Sequence, residues 1–226
     1  MLLRSIAAAT LIVSLAGCVQ RDYLVANPSD GGGPASEMRY TSNLSYVASV
    51  EVIRLRIDPA FVPDERREIL RSVAEWNHAL NGYIRFDPVF MVFQPGSAAA
   101  SAGLAAVDAA VPPRSNAWSI LPARGATPLG RRIVLPMALT QPAPHGGGIV
   151  MVYREQTGTS ALAAAIRHEL GHVLGLLHDP ASRLMSPRHD PLAQRCIDKS
   201  AVAAVARIHA LPVAELNWCE EIAAPG

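Results

Sequence analysis

The sequence predicts an α+β fold, in which separate strands and helices build one domain. An alternating apolar pattern between residues 50 and 57 is typical of a strand, whereas an apolar stripe between residues 63 and 80 has helical spacing. A third segment, rich in alanine, predicts a long helix that ends near residue 175. The chain has 226 residues, and 50% of them are hydrophobic, which is enough for a single core and excludes a disordered protein.

The first strand and the first helix have clear ends. Asp58-Pro59 ends the alternating strand pattern. Pro63 opens the helix, because proline is tolerated in the first turn and the acidic residues after it interact favourably with the helix dipole. Asn81-Gly82 ends this helix. Its apolar stripe comprises Ile69, Leu70, Val73, Trp76 and Leu80.

The middle of the chain predicts further strands. Residues 83–94 have strand character, but Pro88 interrupts them, so part of this strand is expected at a sheet edge or in a bulge. Residues 97–111 are rich in alanine and glycine and predict either a surface loop or a short helix over the sheet. Residues 132–139 and 149–154 predict two more strands.

Two helices complete the predicted order. The alanine-rich helix follows the last strand, with Thr159 or Ser160 as its expected N-cap. A final helix is expected to begin at Asp198 or Ser200 and to run through Leu211, because the proline that follows cannot continue it.

The long helix carries the sequence HELGHVLGLLH, which begins at His168. His172 is four residues further on, so a helix places both imidazoles on one face, one turn apart. Gly175 lets the chain leave the helix through a conformation that residues with a Cβ resist, which allows His178 to return as a third metal ligand. Three protein ligands leave one position of a tetrahedral zinc ion open, as in catalytic zinc sites. The shorter pattern HExxH alone could also arise by chance on an amphipathic helix.

The run LMSP places Met185 just before a proline turn, shortly after the third histidine. With this turn, the motif resembles the metzincin clan of zinc endopeptidases, and within it the matrixins and their small bacterial relatives. The resemblance implies zinc ligands at His168, His172 and His178. It also implies a general base at Glu169 and Met185 as a hydrophobic floor beneath the metal. The implied fold is a metzincin-like catalytic domain, in which a twisted mixed β-sheet packs on an N-terminal helix and the zinc-binding helix, followed by a methionine turn and a C-terminal helix.

The predicted function is zinc-dependent endopeptidase activity with one catalytic Zn²⁺ ion, where Glu169 acts as general base on water activated by the metal. The expected partner is a protein or peptide substrate, which would pair with an edge strand, either residues 132–139 or residues 149–154. Residues 183–190 are expected to line the pocket for the substrate residue after the cut. The alternative is a lipid-anchored binding or adhesion module with a non-catalytic zinc site, which would not require Glu169. We expect a monomer.

The N-terminus predicts export. Residues 1–17 have the charged start, apolar middle and small-residue end of a signal peptide, and the run LAGC resembles a bacterial lipoprotein box. That resemblance implies cleavage before Cys18 and a lipid on Cys18 that anchors the protein to the membrane. The alternative is an ordinary signal peptide. Residues 18–38 are expected to be a flexible tether and residues 39–226 the catalytic domain. The expected location is the bacterial cell envelope outside the cytoplasm, or the medium if the protein is not lipidated.

Two cysteines follow the histidine motif. In an oxidising compartment, Cys196 and Cys219 are expected to form a disulfide that ties the C-terminal helix, and the alternative is two buried thiols. The net charge of +1 offers no excess of basic residues of the kind that binds nucleic acid, so no nucleic-acid partner is expected.

Residues beside the ligands give weaker predictions. Asp179 follows the third histidine and would either support a ligand or helix end or be a solvated turn residue. Arg167 precedes the first ligand and is expected on the exposed face of the helix. Three histidines lie apart from the motif and are expected on helix surfaces or in loops: His78, His189 and His209.

Overall fold

The structure is a computed structural model that describes residues 37–40, 51–91, 116–123, 137–144, 146–187 and 196–222. The predicted signal peptide, most of the predicted tether and residues 97–111 lie outside these ranges. Among the helices within them, none has the length and apolar character needed to cross a membrane.

A five-stranded mixed β-sheet and three α-helices make up the mixed α/β fold of the described residues. A short 3₁₀ turn and a separate pair of strands complete it. In chain order the elements are β1 (Glu37–Tyr40), β2 (Glu51–Ile57), α1 (Pro63–Ala79), β3 (Ile84–Phe90), β4 (Ala117–Ala123), β5 (Ala138–Pro142), β6 (Gly148–Tyr153), α2 (Arg154–Val173), α3 (Lys199–His209), the 3₁₀ turn (Val213–Glu215) and β7 (Cys219–Ile222).

The main sheet has the strand order β3-β2-β4-β6-β5. Its first four strands run parallel to one another, and β5 lies antiparallel to β6 at one edge. β1 and β7 form a separate antiparallel pair, so the first and last described strands lie side by side. β1 spans the predicted boundary between tether and catalytic domain at residues 38 and 39.

β2 and β3 agree with the predicted strands. In β2, Ile53, Leu55 and Ile57 are buried, and the side chains between them are less buried, as the two-residue period of a strand requires. Within the described residues β3 pairs with β2 alone, which confirms the edge position expected from Pro88. A proline is tolerated on an edge strand because its nitrogen, which has no hydrogen to donate, can face away from the neighbouring strand.

α1 confirms the predicted helix at both ends. The Glu65 carboxylate accepts a hydrogen bond from the Val62 N–H at 2.8 Å, which satisfies one of the donors left without a partner at a helix N-terminus. After the helix, Asn81 and Gly82 adopt positive φ values of 47° and 88°. This left-handed backbone is what asparagine and glycine tolerate best, and it turns the chain into β3.

β4 is an interior strand that the sequence prediction omits. Four consecutive residues, 117–120, are buried, so both faces of the strand are covered and no alternation marks it. The Trp118 ring lies against Gly148 of β6, where an added Cβ would clash with that ring and with the carbonyl oxygen of Gln141. A glycine at this position therefore permits the close approach of β4, β5 and β6.

The last two strands of the sheet differ in how well they match the prediction. β6 matches the predicted strand at residues 149–154 to within one residue at each end. β5 continues beyond the predicted end at residue 139 to Pro142, and the predicted residues 132–136 lie outside the described residues. β5 is an edge strand of the described sheet, and β6 is an interior strand.

α2 follows β6 without a loop and carries the histidine motif. The helical stretch begins at Arg154, but Gly158, with a φ of 52° and a ψ of 161°, breaks it into a short first turn and a long segment. The long segment therefore begins directly after Gly158, within two residues of the N-cap predicted at Thr159 or Ser160. All of residues 161–170 are buried, since this segment packs between α1 and the sheet.

Arg167 lies inside the protein, and the prediction that it is exposed is wrong. Its side chain is 5% exposed, and its Nη1 lies 2.9 Å from Oε2 of Glu75 on α1. Its carbonyl oxygen accepts a hydrogen bond from Nε1 of Trp76 at 2.9 Å. Because α2 is covered on all sides at this level, the helix has no exposed face here, and both contacts fix it against α1.

α3 begins after Asp198, as predicted. The Asp198 carboxylate caps the helix by accepting a hydrogen bond from the Ala201 N–H at 2.9 Å. The helix ends at His209, slightly before the predicted end at residue 211, because Ala210 adopts a left-handed conformation with a φ of 53°.

A disulfide joins Cys196 to Cys219, whose Cα atoms lie 6.0 Å apart. The first cysteine precedes α3 and the second begins β7. The Cys219 N–H also donates a hydrogen bond to the carbonyl oxygen of Ile197 at 2.9 Å. The C-terminal strand is therefore held, covalently and by its main chain, against the segment that leads into the last helix.

Candidate metal centre

Three histidine side chains converge at the C-terminal end of α2. Nε2 of His168 lies 2.9 Å from Nε2 of His178, while Nε2 of His172 lies 3.1 Å from that of His168 and 3.2 Å from that of His178. These three residues form a group that could hold one metal ion. The structure thus brings together the histidines that the sequence spacing singles out.

The end of α2 accounts for the return of His178. The Gly175 N–H donates to the carbonyl oxygen of His172 at 2.9 Å, and the Leu176 N–H donates to that of Gly171 at 3.0 Å. These two bonds make a Schellman motif, whose left-handed position is occupied by Gly175 with a φ of 87°. A Cβ is disfavoured at this φ, so glycine allows the chain to reverse and the third histidine to reach the other two.

Main-chain carbonyl groups orient two of the rings. Nδ1 of His168 lies 2.6 Å from the carbonyl oxygen of Leu184, and Nδ1 of His172 lies 2.8 Å from that of Leu176. A carbonyl oxygen can only accept, so each Nδ1 donates the proton and each Nε2 of the neutral ring presents a lone pair. Lone pairs this close repel one another unless a cation lies between them. Hydrogen bonds of this kind orient metal-binding histidines in proteins.

The histidine cluster fits a zinc ion. With Zn–N distances of about 2.0–2.1 Å, tetrahedral geometry separates two ligand nitrogens by about 3.3 Å. The observed separations of 2.9, 3.1 and 3.2 Å are close to this value. Imidazole nitrogens suit zinc. Catalytic zinc sites typically have three protein ligands and an open fourth position, whereas structural zinc sites have four protein ligands.

Met185 packs against the helix that carries two of the histidines. Its side chain is 1% exposed, and a Cβ added to Gly171 would come within 2.5 Å of its sulfur. The thioether therefore fills the space that Gly171 leaves directly before the second histidine. The sequence prediction assigns no structural role to Gly171, although its position between the two histidines could have indicated a close contact with the metal site.

Replacing Gly171 by alanine is expected to lower the free energy of unfolding by about 1–3 kcal/mol, because the added methyl group overlaps Met185 in a packed interior. Glycine to alanine in a helix is otherwise stabilising by about 0.5–1 kcal/mol, so the expected sign is reversed. Urea unfolding of wild type, Gly171→Ala, Met185→Ala and the double variant measures this. Overlap with Met185 predicts that the double variant loses less than the sum of the single losses, whereas a Gly171→Ala protein as stable as wild type would show that the added methyl group meets no such overlap.

A half-buried carboxylate holds the methionine turn. Oδ2 of Asp198 accepts hydrogen bonds from the Leu184 N–H at 2.8 Å and from the Ser182 hydroxyl at 3.0 Å. Burial alone would raise the pKa of Asp198, but hydrogen bonds from Ser200, Leu184, Ala201 and Ser182 outweigh it and hold the pKa below its ordinary value. Because the Leu184 carbonyl oxygen accepts from the first histidine, this carboxylate supports the metal site indirectly.

Two residues beside the histidines support the backbone. Oδ1 of Asp179 accepts from the Ala181 N–H at 2.9 Å, and the Asp179 N–H donates to the carbonyl oxygen of Met185 at 2.9 Å. Of the two roles expected for Asp179, these contacts favour the exposed turn residue. Nε2 of His209 lies 3.0 Å from the carbonyl oxygen of Leu174, so this histidine connects α3 to the end of α2.

Glu169 lies on α2 directly after the first histidine and is 2% exposed. Its Oε2 accepts a hydrogen bond from Oγ1 of Thr140 at 2.6 Å. Thr140 is absent from the sequence prediction because no motif marks it, and only the packing of β5 beside α2 brings it to this site. A carboxylate on the residue that follows the first histidine is a candidate for proton exchange with groups that react at the cluster.

The remaining predicted site residues lie elsewhere. The disulfide of Cys196 and Cys219 belongs to the C-terminal segment. Cys18 lies outside the described residues, and so do residues 188–190 of the predicted pocket segment.

Comparisons with known proteins find similarity only among solved structures. No family model matches the sequence, and no curated protein matches it. High choriolytic enzyme 1, a hatching-enzyme zinc protease from the medaka fish Oryzias latipes, aligns at 17% identity with a TM-score of 0.33, covering 56% of this chain and 44% of that chain. Archaemetzincin from Methanopyrus kandleri aligns at 15% identity with a TM-score of 0.46, covering 71% of this chain and 96% of that chain. Metalloproteinase-II from Bacteroides fragilis aligns at 13% identity with a TM-score of 0.43, covering 71% and 53%.

The chain thus spans 44% of the length of the medaka enzyme and 53% of that of the Bacteroides enzyme. At these identities and TM-scores, the assignment of a function rests on the geometry of the histidine cluster and its neighbours.

Proposed function

We propose that this chain is a zinc-dependent endopeptidase of metzincin type, most like the matrixins and their small bacterial relatives. The observation that carries the proposal is the convergence of three Nε2 atoms within 3.2 Å of one another, with the buried residue Glu169 directly following the first of these histidines in sequence. His168, His172 and His178 would hold the ion. When bound there, Zn²⁺ would supply Lewis-acid chemistry by making water more acidic and by polarising the scissile carbonyl group.

The chain's own residues would move the protons. Glu169 follows a ligand in sequence without belonging to the ligand group, so its carboxylate can take a proton from the attacking water and pass it to the leaving amine. Its burial removes competing solvent and strengthens electrostatic interactions in the site. His168 and His172 keep their ring orientation through their main-chain carbonyl partners.

A peptide substrate would add to β5 by main-chain pairing. Of the two candidate strands, β6 is bordered on both sides, by β4 and β5, whereas β5 has one described neighbour. An edge strand presents main-chain N–H and C=O groups that an extended peptide can pair with. Residues 183–190 remain our candidate for the pocket that receives the substrate residue after the cut.

The cellular setting is part of the proposal and is supported by sequence. The run LAGC at residues 15–18 supports a lipid on Cys18 and an anchor in the bacterial cell envelope outside the cytoplasm, with secretion if Cys18 is not lipidated. The near-neutral net charge of +1 supports a protein that does not bind nucleic acid. We propose that it acts as a monomer.

Chelation distinguishes the peptidase from the alternative, a lipid-anchored binding or adhesion module. Three preparations of the purified chain are incubated with casein: the untreated chain, the chain after removal of metal by 1,10-phenanthroline, and the same chain after zinc is added back. A peptidase is expected to cleave casein, to stop on chelation and to recover with zinc, because its open coordination position is needed for turnover. If chelation lowers the unfolding temperature but no preparation ever cleaves casein, the binding module is the correct function.

A further inference from the structure

We propose that Thr140 on β5 is a positioning residue for the reaction, because its hydroxyl orients the carboxylate of Glu169. This inference rests on the proposed function and deepens it. It assigns a role to a residue outside the histidine motif, on a different element of the fold.

The first support is the burial of Glu169. With 2% of its surface exposed, this carboxylate exchanges almost no hydrogen bonds with bulk water. A buried carboxylate is costly unless protein donors replace the water. Thr140 is such a donor, since its Oγ1 lies 2.6 Å from Oε2 of Glu169, within the range of about 2.5–2.7 Å that is typical of a hydroxyl bonded to a charged carboxylate.

The second support is the double contact that Thr140 makes with one residue. Its Oγ1 also lies 3.2 Å from the carbonyl oxygen of Glu169. A hydroxyl has one proton to donate, and the shorter contact indicates that it is donated to the carboxylate. The main-chain carbonyl oxygen of Glu169 also lies near the same hydroxyl. The hydroxyl therefore keeps the carboxylate near the backbone of its own residue and restricts the rotation of the Glu169 side chain.

The third support is the rigidity of the element that carries Thr140. β5 is paired with β6 along its whole length, and Thr140 lies opposite Val150 in this register. The β-branched side chain of threonine also has few rotamers available. A group placed by a sheet is held more accurately than one placed by a loop, so the hydroxyl is already in position when a substrate arrives.

The placement of Thr140 connects two parts of the site. In the proposed function a peptide pairs with the outer edge of β5 through main-chain atoms, whereas the Thr140 side chain points to α2. Loss of the hydroxyl alone leaves the main chain of β5 intact. The effect is therefore expected on the chemical step, with little effect on the binding of substrate.

Steady-state kinetics of the zinc-loaded chain on a peptide substrate test this with Thr140→Val, Thr140→Ser and a matched control, Thr157→Val. Thr157 is another buried threonine, whose hydroxyl lies 2.8 Å from the Met137 carbonyl oxygen, so the control removes a comparable hydrogen bond elsewhere. Thr140→Val is expected to lower kcat about tenfold, since small misplacements of a reacting group are costly. KM is expected to stay within about twofold of the wild-type value, because the substitution removes no contact with the bound substrate.

The serine variant keeps the hydroxyl and is expected to retain kcat within about twofold of wild type. The control is expected to lose stability while keeping its kcat. An unchanged kcat in Thr140→Val, in a preparation that Glu169→Gln inactivates, overturns the role of Thr140 and leaves the proposed function standing. If wild type cleaves no peptide bond at all, the proposed function fails, and the role of Thr140 in it fails as well.

Crystal structures of the zinc-loaded wild type and Thr140→Val give a readout that does not depend on turnover. The inference predicts that the Glu169 carboxylate occupies one position against Thr140 in wild type and rotates away or becomes split in the valine variant. The same carboxylate position in both structures overturns it.

Discussion

Replacing Glu169 by glutamine is expected to lower kcat for peptide hydrolysis by about a hundredfold to ten-thousandfold, the usual contribution of a positioned acid–base group. The amide has nearly the same shape, and its oxygen can still accept the hydrogen bond from Thr140. It cannot take up a proton at neutral pH, so only the proton transfer is lost. The three histidines are untouched, and the zinc content measured by mass spectrometry is expected to equal that of wild type.

A matched control for this substitution lies on the same helix. Glu155 is an exposed acid in the first turn of α2, and Glu155→Gln removes the same charge far along the helix from the histidines. We expect it to keep wild-type kcat. A Glu169→Gln protein that binds zinc and turns over peptide at the wild-type rate would assign the base to another residue.

Replacing Glu75 by alanine is expected to lower the free energy of unfolding by about 3 kcal/mol, because it removes the carboxylate that pairs with the buried guanidinium of Arg167 and also contacts Arg71. The Arg167 side chain is 5% exposed and the Glu75 side chain 14% exposed, with 2.9 Å between their charged atoms. The pair joins α1 to α2 directly before the first histidine, so the loss acts on the helix that carries the metal site. Guanidinium chloride unfolding of both proteins measures the difference.

The control for this prediction is an exposed pair on α1. Arg67 lies 2.8 Å from Asp64, with side chains 69% and 65% exposed, and Arg67→Ala is expected to cost less than about 1 kcal/mol. Equal losses in Glu75→Ala and Arg67→Ala would mean that the buried pair contributes no more than a surface contact.

The elements that could be predicted from sequence are those with a local pattern. α1 is predicted by its apolar stripe, its N-terminal proline and the Asn81-Gly82 turn, and β2 is predicted by strict alternation. The convergence of the histidines depends on helical spacing and on Gly175, which are both local. Each of these features is decided within a few residues of chain, so no knowledge of tertiary packing is needed.

The features that the sequence prediction misses depend on contacts between distant segments. β4 is an apolar run without a period, because its neighbours cover both of its faces. Arg167 is buried against α1, where its side chain pairs with Glu75 on that other helix. Thr140 reaches Glu169 only because β5 pairs with β6 and lies beside α2. In each case the partner lies tens of residues away, and no spacing rule connects the two.

X-ray absorption at the zinc edge of the purified chain tests whether His168, His172 and His178 hold one zinc ion in an open site. We expect one zinc per chain, bound by three imidazole nitrogens at about 2.0–2.1 Å, with the fourth position not filled by the protein. A zinc ion enclosed by four protein ligands, or a zinc spectrum without imidazole, would contradict it.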